Sequence, residues 1–270
     1  MSKNLSTSIS FFVGLDVGTS YVKSVLIDNN KEILSSFVKR TGTSIENSSK
    51  TALEEVLSGA SLSRSSIKHI TATGYGKSKV SFADSDKTEI SCHAKGAYHY
   101  FPKKITVIDI GGQDTKVIKL DEKGKIVRFK MNRKCAAGTG AFIEEIAYRL
   151  DLPLKELNTL AVKSTSNAPL ASFCTVFAKT EILTRIKEGE KVEDMIKSAF
   201  DSVIRRIIEM AELEGSIVLT GGLIAHNRII GVILKKEINT DILIPPHPQL
   251  IGAIGAAHFA LESYVLEINQ

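Results

Sequence analysis

Apolar and polar positions alternate along the chain in blocks whose period changes. Residues 12–33, FVGLDVGTSYVKSVLIDNNKEI, open with an apolar run, break at a glycine turn, resume as a β-rich run and break again at Asp28-Asn29-Asn30. This is the pattern of a buried strand, a tight turn, a second strand, a polar hairpin and the start of a third strand. Residues 105–126, ITVIDIGGQDTKVIKLDEKGKI, repeat the pattern without a gap 93 positions later. Asp16 meets Asp109, Gly18 meets Gly111, Lys23 meets Lys116, Asp28 meets Asp121 and Ile33 meets Ile126. Leu15 with Ile108, Val17 with Ile110 and Val25 with Ile118 extend the match to the apolar positions, so the two stretches read as a duplication.

Elsewhere the period lengthens. SSKTALEEVLSGA predicts a helix, IKHITATGYG a strand entering a glycine-rich turn, and KTEISCHAKGAYHYF a second helix. Three helical stripes follow the second copy. Phe142, Ile143, Ile146, Ala147 and Leu150 form the first, and Val176, Phe177, Leu183 and Ile186 a less regular second. The third and strongest runs from Met195 and Ile196 through Phe200 and Ile204 to Ala211. SIVLTGG then reads as a buried strand ending in another glycine turn, residues 227–239 as a helix, TDILIPP as a strand and PQLIGAIGAAHFALESYVLE as a closing helix. Strands alternating with helices in duplicated halves predict an α/β protein of two domains with a cleft between them. The first domain is expected over 1–98, completed by the closing helix 248–270, and the second over 99–247.

A chain of 270 residues with 43% hydrophobic content can bury two cores. The opening MSKNLSTSIS is polar and FFVGLDVG is too short and glycine-rich for a signal sequence. No run approaches the roughly 18–20 apolar residues of a membrane span. Three widely spaced cysteines favour a reducing compartment, so a cytoplasmic location without membrane contact is expected. The net charge of +5 is mild, Lys and Arg are scattered among Asp and Glu without a basic block, and there is no Trp. Nucleic-acid binding is therefore not expected. His69, His93, His99, His226, His247 and His258 show no metal-ligand spacing.

Each repeat ends its first strand with a carboxylate and a glycine turn, DVGTS and DIGGQD. Such turns let backbone N–H groups approach an anion, and Thr19, Ser20 and Gln113 add side-chain donors. Asp16 and Asp109 are candidates to hold a hydrated Mg²⁺ between phosphates across the cleft, an ion that favours one or two carboxylates plus water. Lys23 and Lys116 either add positive charge there or lie on the surface.

With these turns in place, the chain resembles the actin-like ATPase superfamily, a fold of two duplicated ribonuclease H-like domains. GLDVGTSYVK, VIDIGGQDTKV and VLTGGLIAHN stand where that superfamily has two phosphate loops and an adenosine loop. The resemblance assigns Gly14, Asp16, Gly18, Thr19, Ser20 and Lys23 to the first loop. It gives Asp109, Gly111, Gly112, Gln113 and Asp114 to the second, and Gly221 and Gly222 to the third. Gln113 would orient the water that attacks the γ-phosphate. Within the superfamily the stretches TGYGK, EISCHAKGA, IDIGGQDTKVIKL, NRKCAAGTGAFIE, CTVFAKTEI and PQLIGAIGAA are similar to the activator ATPases of 2-hydroxyacyl-CoA dehydratases. That family also supplies the ATPase subunits of benzoyl-CoA reductase. The same resemblance adds Gly138, Thr139, Gly140 and Gln249 to the nucleotide contacts, ATP or ADP, and makes Cys135 and Cys174 ligands of a 4Fe–4S cluster.

Cys135 precedes a helix expected near Gly140, and Cys174 one expected near Val176, where a helix N-terminus favours negative charge. A 4Fe–4S cluster needs four thiolates and one chain offers two at matched positions, so one cluster shared across a two-fold axis, in a homodimer, is the simplest solution. Cys92 reads as a small core residue. The resemblance implies an ATP-driven one-electron reductase, charged by a ferredoxin or flavodoxin, whose client is an iron–sulfur dehydratase or reductase. The client would use the electron to form a ketyl radical on a CoA thioester or to reduce an aromatic ring. Lowering a one-electron couple by about 300 mV costs about 7 kcal/mol, which explains the need for ATP. Lys179 and Thr180 in FAKTE stand where dehydratase activators carry the acidic FAESE, which points to a different double-cluster protein as client. A small-molecule kinase would also use the three loops but leaves Cys135 and Cys174 without a role.

Overall fold

The computed structural model describes residues 9–132, 134–166, 168–172 and 174–269. Most of the polar opening, Arg133 before the KCAAGTG segment and Asn167 of the expected loop at 163–169 lie outside the described residues. The chain divides into two compact units, 1–96 with 250–270, and 97–249, against the expected 98 and 248.

In the first unit, β1 (Phe11–Val17) pairs antiparallel with β2 (Tyr21–Asp28), and β2 with β3 (Ile33–Arg40). β1 also pairs parallel with β4 (Ile67–Thr73), and β4 with the two-residue β5 (Ser85–Asp86), giving the order β3-β2-β1-β4-β5. Helix α1 (Ile45–Gly59), capped by the Ser44 hydroxyl on the Asn47 N–H, buries Ala52, Leu53, Val56 and Leu57 against β2 and β3. Helix α2 (Glu89–Tyr100) follows.

The second unit repeats the sheet. β6 (Ile105–Ile110), β7 (Thr115–Leu120) and β8 (Ile126–Asn132) form the antiparallel meander. Helices α3 (Gly140–Arg149), α4 (Leu157–Lys163), α5 (Thr175–Lys187) and α6 (Val192–Met210) intervene before β9 (Ser216–Thr220), which pairs parallel with β6. Helices α7 (Gly222–His226) and α8 (Ile229–Ile238) lead to β10 (Ile242–Leu243), for the order β10-β9-β6-β7-β8. The helix expected at 227–239 is α8, preceded by the short α7 directly after the glycine turn, and α4 carries no stripe long enough to announce itself. The Pro245-Pro246 pair follows β10, which is only two residues long.

Two expectations are corrected. The α5 helix exists, but its apolar stripe faces outward. Val176 and Phe177 are each 66% exposed and Leu183 and Ile186 are also exposed, while the buried residues are Ala178 and Ile182. The segment Pro248–Ile268, containing the last helix α9 (Ile251–Ile268), is long and apolar enough to cross a membrane by length and composition alone, although no such run was expected. Within the first unit α9 packs on β1, β4 and β2.

Small residues make that packing possible. A Cβ on Gly14 would overlap the Ala253 carbonyl oxygen and the Ala257 nitrogen, and one on Gly255 would overlap the Cys92 carbonyl. Gly14, assigned to phosphate binding from sequence, therefore sits inside β1 as the seat of α9. Gly14→Val is expected to destabilise the first unit by about 3 kcal/mol or more through overpacking against backbone that cannot move aside. Urea unfolding followed by circular dichroism measures the loss.

Candidate functional site

The two carboxylate turns are built alike. The antiparallel register places Lys23 opposite Asp16 and Lys116 opposite Asp109. Lys23 Nζ donates to Asp16 Oδ2 at 2.9 Å, and Lys116 Nζ to Asp109 Oδ2 at 3.2 Å. The turn between them closes with the Gly18 N–H on the Tyr21 carbonyl and, in the second copy, the Gly111 N–H on the Asp114 carbonyl. Lys116 is not a surface residue: it is 1% exposed and also donates to Asp114 Oδ1 at 2.8 Å. Thr19 and Gln113 are exposed at the tips, with Ser20, Gly112 and Asp114 partly exposed beside them.

The next parallel strand completes each turn, with Thr73, Gly74 and Thr220 unassigned from sequence. Thr73 lies beside Asp16 and Thr220 beside Asp109, each followed by a positive-φ glycine, Gly74 and Gly221. A Cβ on Gly74 would stand 2.6 Å from the Val17 carbonyl oxygen, and one on Gly221 would overlap that of Ile110. Only glycine fits at either place. The halves differ in one bond. Thr220 Oγ1 donates to Asp109 Oδ1 at 2.9 Å, whereas Thr73 Oγ1 donates to the Lys87 carbonyl at 3.1 Å. Asp16 Oδ1 is consequently buried with no hydrogen bond from a described residue. A buried carboxylate oxygen without a donor suits a hard cation or a water held by one. In the third turn the Gly221 N–H donates to the Pro248 carbonyl at 2.8 Å, and Gln249 lies beside Gly222.

Cys135 and Cys174 are both exposed. Cys92 is buried, and burial pushes its thiol up to about 12. The segment carrying Cys135 is bonded to the second glycine turn. Thr115 Oγ1 donates to the Gly138 carbonyl at 2.6 Å, Asn132 Nδ2 reaches the Cys135 and Ala137 carbonyls at 3.0 and 2.9 Å, and Thr139 Oγ1 closes on Ala136. The first N–H groups of α3, on Gly140 and Ala141, donate to the Gly111 and Gly112 carbonyls at 2.9 and 2.8 Å. Those donors are therefore spent on the turn and do not point at the Cys135 thiol, contrary to the helix-dipole argument. Cys174 itself caps α5, its carbonyl accepting from the Ala178 N–H. The stretch leading to it is fixed by Arg185 on the Pro169 carbonyl, Ser198 on the Ala168 carbonyl and the Ala171 N–H on Glu181.

Helices α3 and α5 are joined by an ion pair. Lys179 Nζ lies 3.0 Å from Glu145 Oε1, and its hydrogen bond holds that carboxyl below the usual range. The residue expected to alter docking is thus engaged inside the chain. Among the described residues no group of three or more His, Cys, Asp or Glu side chains could hold a metal.

Residues 13–260 match the model of the BadF/BadG/BcrA/BcrD ATPase family. The 2-hydroxyisocaproyl-CoA dehydratase activator of Clostridioides difficile is 38% identical over 255 residues, covering 93% of this chain and 95% of that one. The activator of lactoyl-CoA dehydratase from Anaerotignum propionicum is 40% identical, covering 94% and 98%. A solved structure of the Clostridium difficile 2-hydroxyisocaproyl-CoA dehydratase activator with bound ADPNP superposes with a TM-score of 0.90 at 36% identity, over 96% of this chain and 97% of that one.

The buried lysine gives a direct test of the second turn. Lys116→Met strands two carboxylates and is expected to cost about 3–5 kcal/mol, and adding Asp109→Asn should recover part of it. Urea titration of the two variants reads both values. A loss below about 1 kcal/mol would show that Lys116 does not compensate the pair.

Proposed function

The chain belongs to the BadF/BadG/BcrA/BcrD ATPase family, and from that premise we propose that it is an ATP-dependent activator that delivers single electrons to a partner iron–sulfur enzyme. The observation that carries this reading is the pair of backbone bonds from Gly140 and Ala141 to Gly111 and Gly112, which ties the DIGGQD turn to the segment bearing Cys135. A change in that turn during ATP turnover moves the start of α3, and the Glu145–Lys179 pair passes the movement to α5 behind Cys174.

In this reading Asp16 and Asp109 are each carboxylate contacts for Mg²⁺, for which the undonated Asp16 Oδ1 is support in the first turn. Gln113, exposed at the turn tip, orients the attacking water. Gly221, Gly222 and Gln249 take the adenosine end of the nucleotide. Cys135 and Cys174 each supply thiolates from two copies of the chain, making four. When bound there, a 4Fe–4S cluster supplies a one-electron redox centre. The exposed residues Val176 and Phe177 next to Cys174, with Leu183 and Ile186 further along α5, suit burial against a second copy. The relatives named above activate dehydratases of 2-hydroxyacyl-CoA thioesters, so the client proposed for this chain acts on an acyl-CoA. A small-molecule kinase would leave both exposed thiols idle.

Protein purified without oxygen is expected to carry about one cluster per dimer. Cys135→Ser and Cys174→Ser should each abolish the iron, because each removes two of four ligands, while Cys92→Ser keeps it. Asp16→Ala and Asp109→Ala should keep iron and lose ATPase activity. Gln113→Ala should slow hydrolysis more than tenfold with little change in ATP affinity. Iron analysis with electron paramagnetic resonance of the dithionite-reduced protein decides the first set. Full iron in Cys174→Ser would overturn the shared ligand set.

A further inference from the structure

The two edge strands of the duplicated sheets are treated differently. In the first unit β3 is half covered, alternating between partly buried and exposed positions under α1. In the second unit β8 stands at the sheet edge with Ile126 through Lys130 all exposed, Val127 at 68% and Phe129 at 52%. Its composition is equally lopsided. Residues 123–134, KGKIVRFKMNRK, contain six Lys or Arg and no Asp or Glu, which corrects the expectation of a charge distribution without a basic block. Lys119, beside them, is already engaged by Glu214 and Glu212, and Asp121 is spent on the Lys123 and Lys125 N–H groups. Arg128 and Lys130 form no ion pair with a described residue.

Strand alternation sends Arg128 and Lys130 to one face and Val127 and Phe129 to the other, around a row of outward backbone groups. The strand then runs directly into the thiol segment, where Asn132 binds the Cys135 carbonyl. Phe129 stands six positions before Cys135, a chain reach of at most about 22 Å. Two copies of this edge would bring cation against cation, which disfavours self-pairing.

We propose that β8 is the docking edge for an acidic one-electron carrier protein, which is seated by Arg128 and Lys130 around exposed Phe129 and is thereby brought to Cys135. The carrier loses one electron, and the centre held by Cys135 and Cys174 gains it. This rests on the electron-delivery reading above, but the surface itself is measured by binding alone.

The probe is a reduced two-cluster bacterial-type ferredoxin, titrated by calorimetry against the full chain, Arg128→Glu/Lys130→Glu and, as a control of equal charge change, Lys39→Glu/Lys68→Glu. The first double variant is expected to bind at least tenfold more weakly at low salt, with the difference shrinking at high salt. Its reduction by ferredoxin should slow in proportion, while reduction by dithionite and ATP hydrolysis stay at the wild-type rate. Equal affinity for both double variants overturns the proposal, as does tighter, salt-dependent binding of a single-stranded oligonucleotide than of ferredoxin. Charge-dependent ferredoxin binding by an iron-free wild type would sink the electron-delivery reading and leave the docking edge standing. Iron-containing protein whose ferredoxin affinity ignores Arg128 and Lys130 would do the reverse.

Discussion

A carboxylate buried at the end of a strand must find a cation close by, and here a hairpin of fixed length provides it. Asp16 and Lys23, like Asp109 and Lys116, stand directly opposite because the turn between their strands admits one register. A slip of one residue would send the lysine to the other face and leave the carboxylate buried without its charge, at a cost of several kcal/mol. The pair therefore pins the hairpin, and the hairpin presents the glycine turn. The neighbouring parallel strand can approach only because Gly74 and Gly221 carry no side chain. Chemistry and architecture share one constraint in each half.

The duplication was legible because strand, turn and hairpin repeat at a constant interval. Its continuation was not. Thr220 lies 147 residues after Thr73, against 93 for the aspartates, because four helices, α3 to α6, stand between β8 and β9 where α1 alone among the α-helices stands between β3 and β4. Helices were readable from periodicity, but periodicity does not say which face is covered. In α5 Val176, Phe177, Leu183 and Ile186 face out, while Ala178 and Ile182 pack inward. For Lys116 the sequence leaves turn and surface both open, since a lysine is rarely fully buried unless carboxylates surround it, as Asp109 and Asp114 do here. The thiols were found through the residues around them, whereas the bonds tying Gly140 and Ala141 to the turn depend on a fold that places them side by side.

Those bonds also redistribute electrostatics. A helix start with free N–H groups is a place for anions, yet α3 gives its first donors to carbonyl oxygens of the DIGGQD turn. The helix is mechanically continuous with the turn at the expense of its own anion-binding capacity. Cys174, at the cap of α5, is placed differently, so the two thiols of one chain have unlike surroundings although their sequence contexts look matched.

The seating of α9 against Gly14 has a consequence for how the molecule comes into being. During synthesis β1 leaves the ribosome well before the helix that covers its Gly14 face, which is made only after all of 97–249. The second unit is contiguous and can close as soon as it is complete. The first unit must wait with an uncovered sheet face until residues 251–268 arrive, so the half of the protein translated first is the half that finishes folding last.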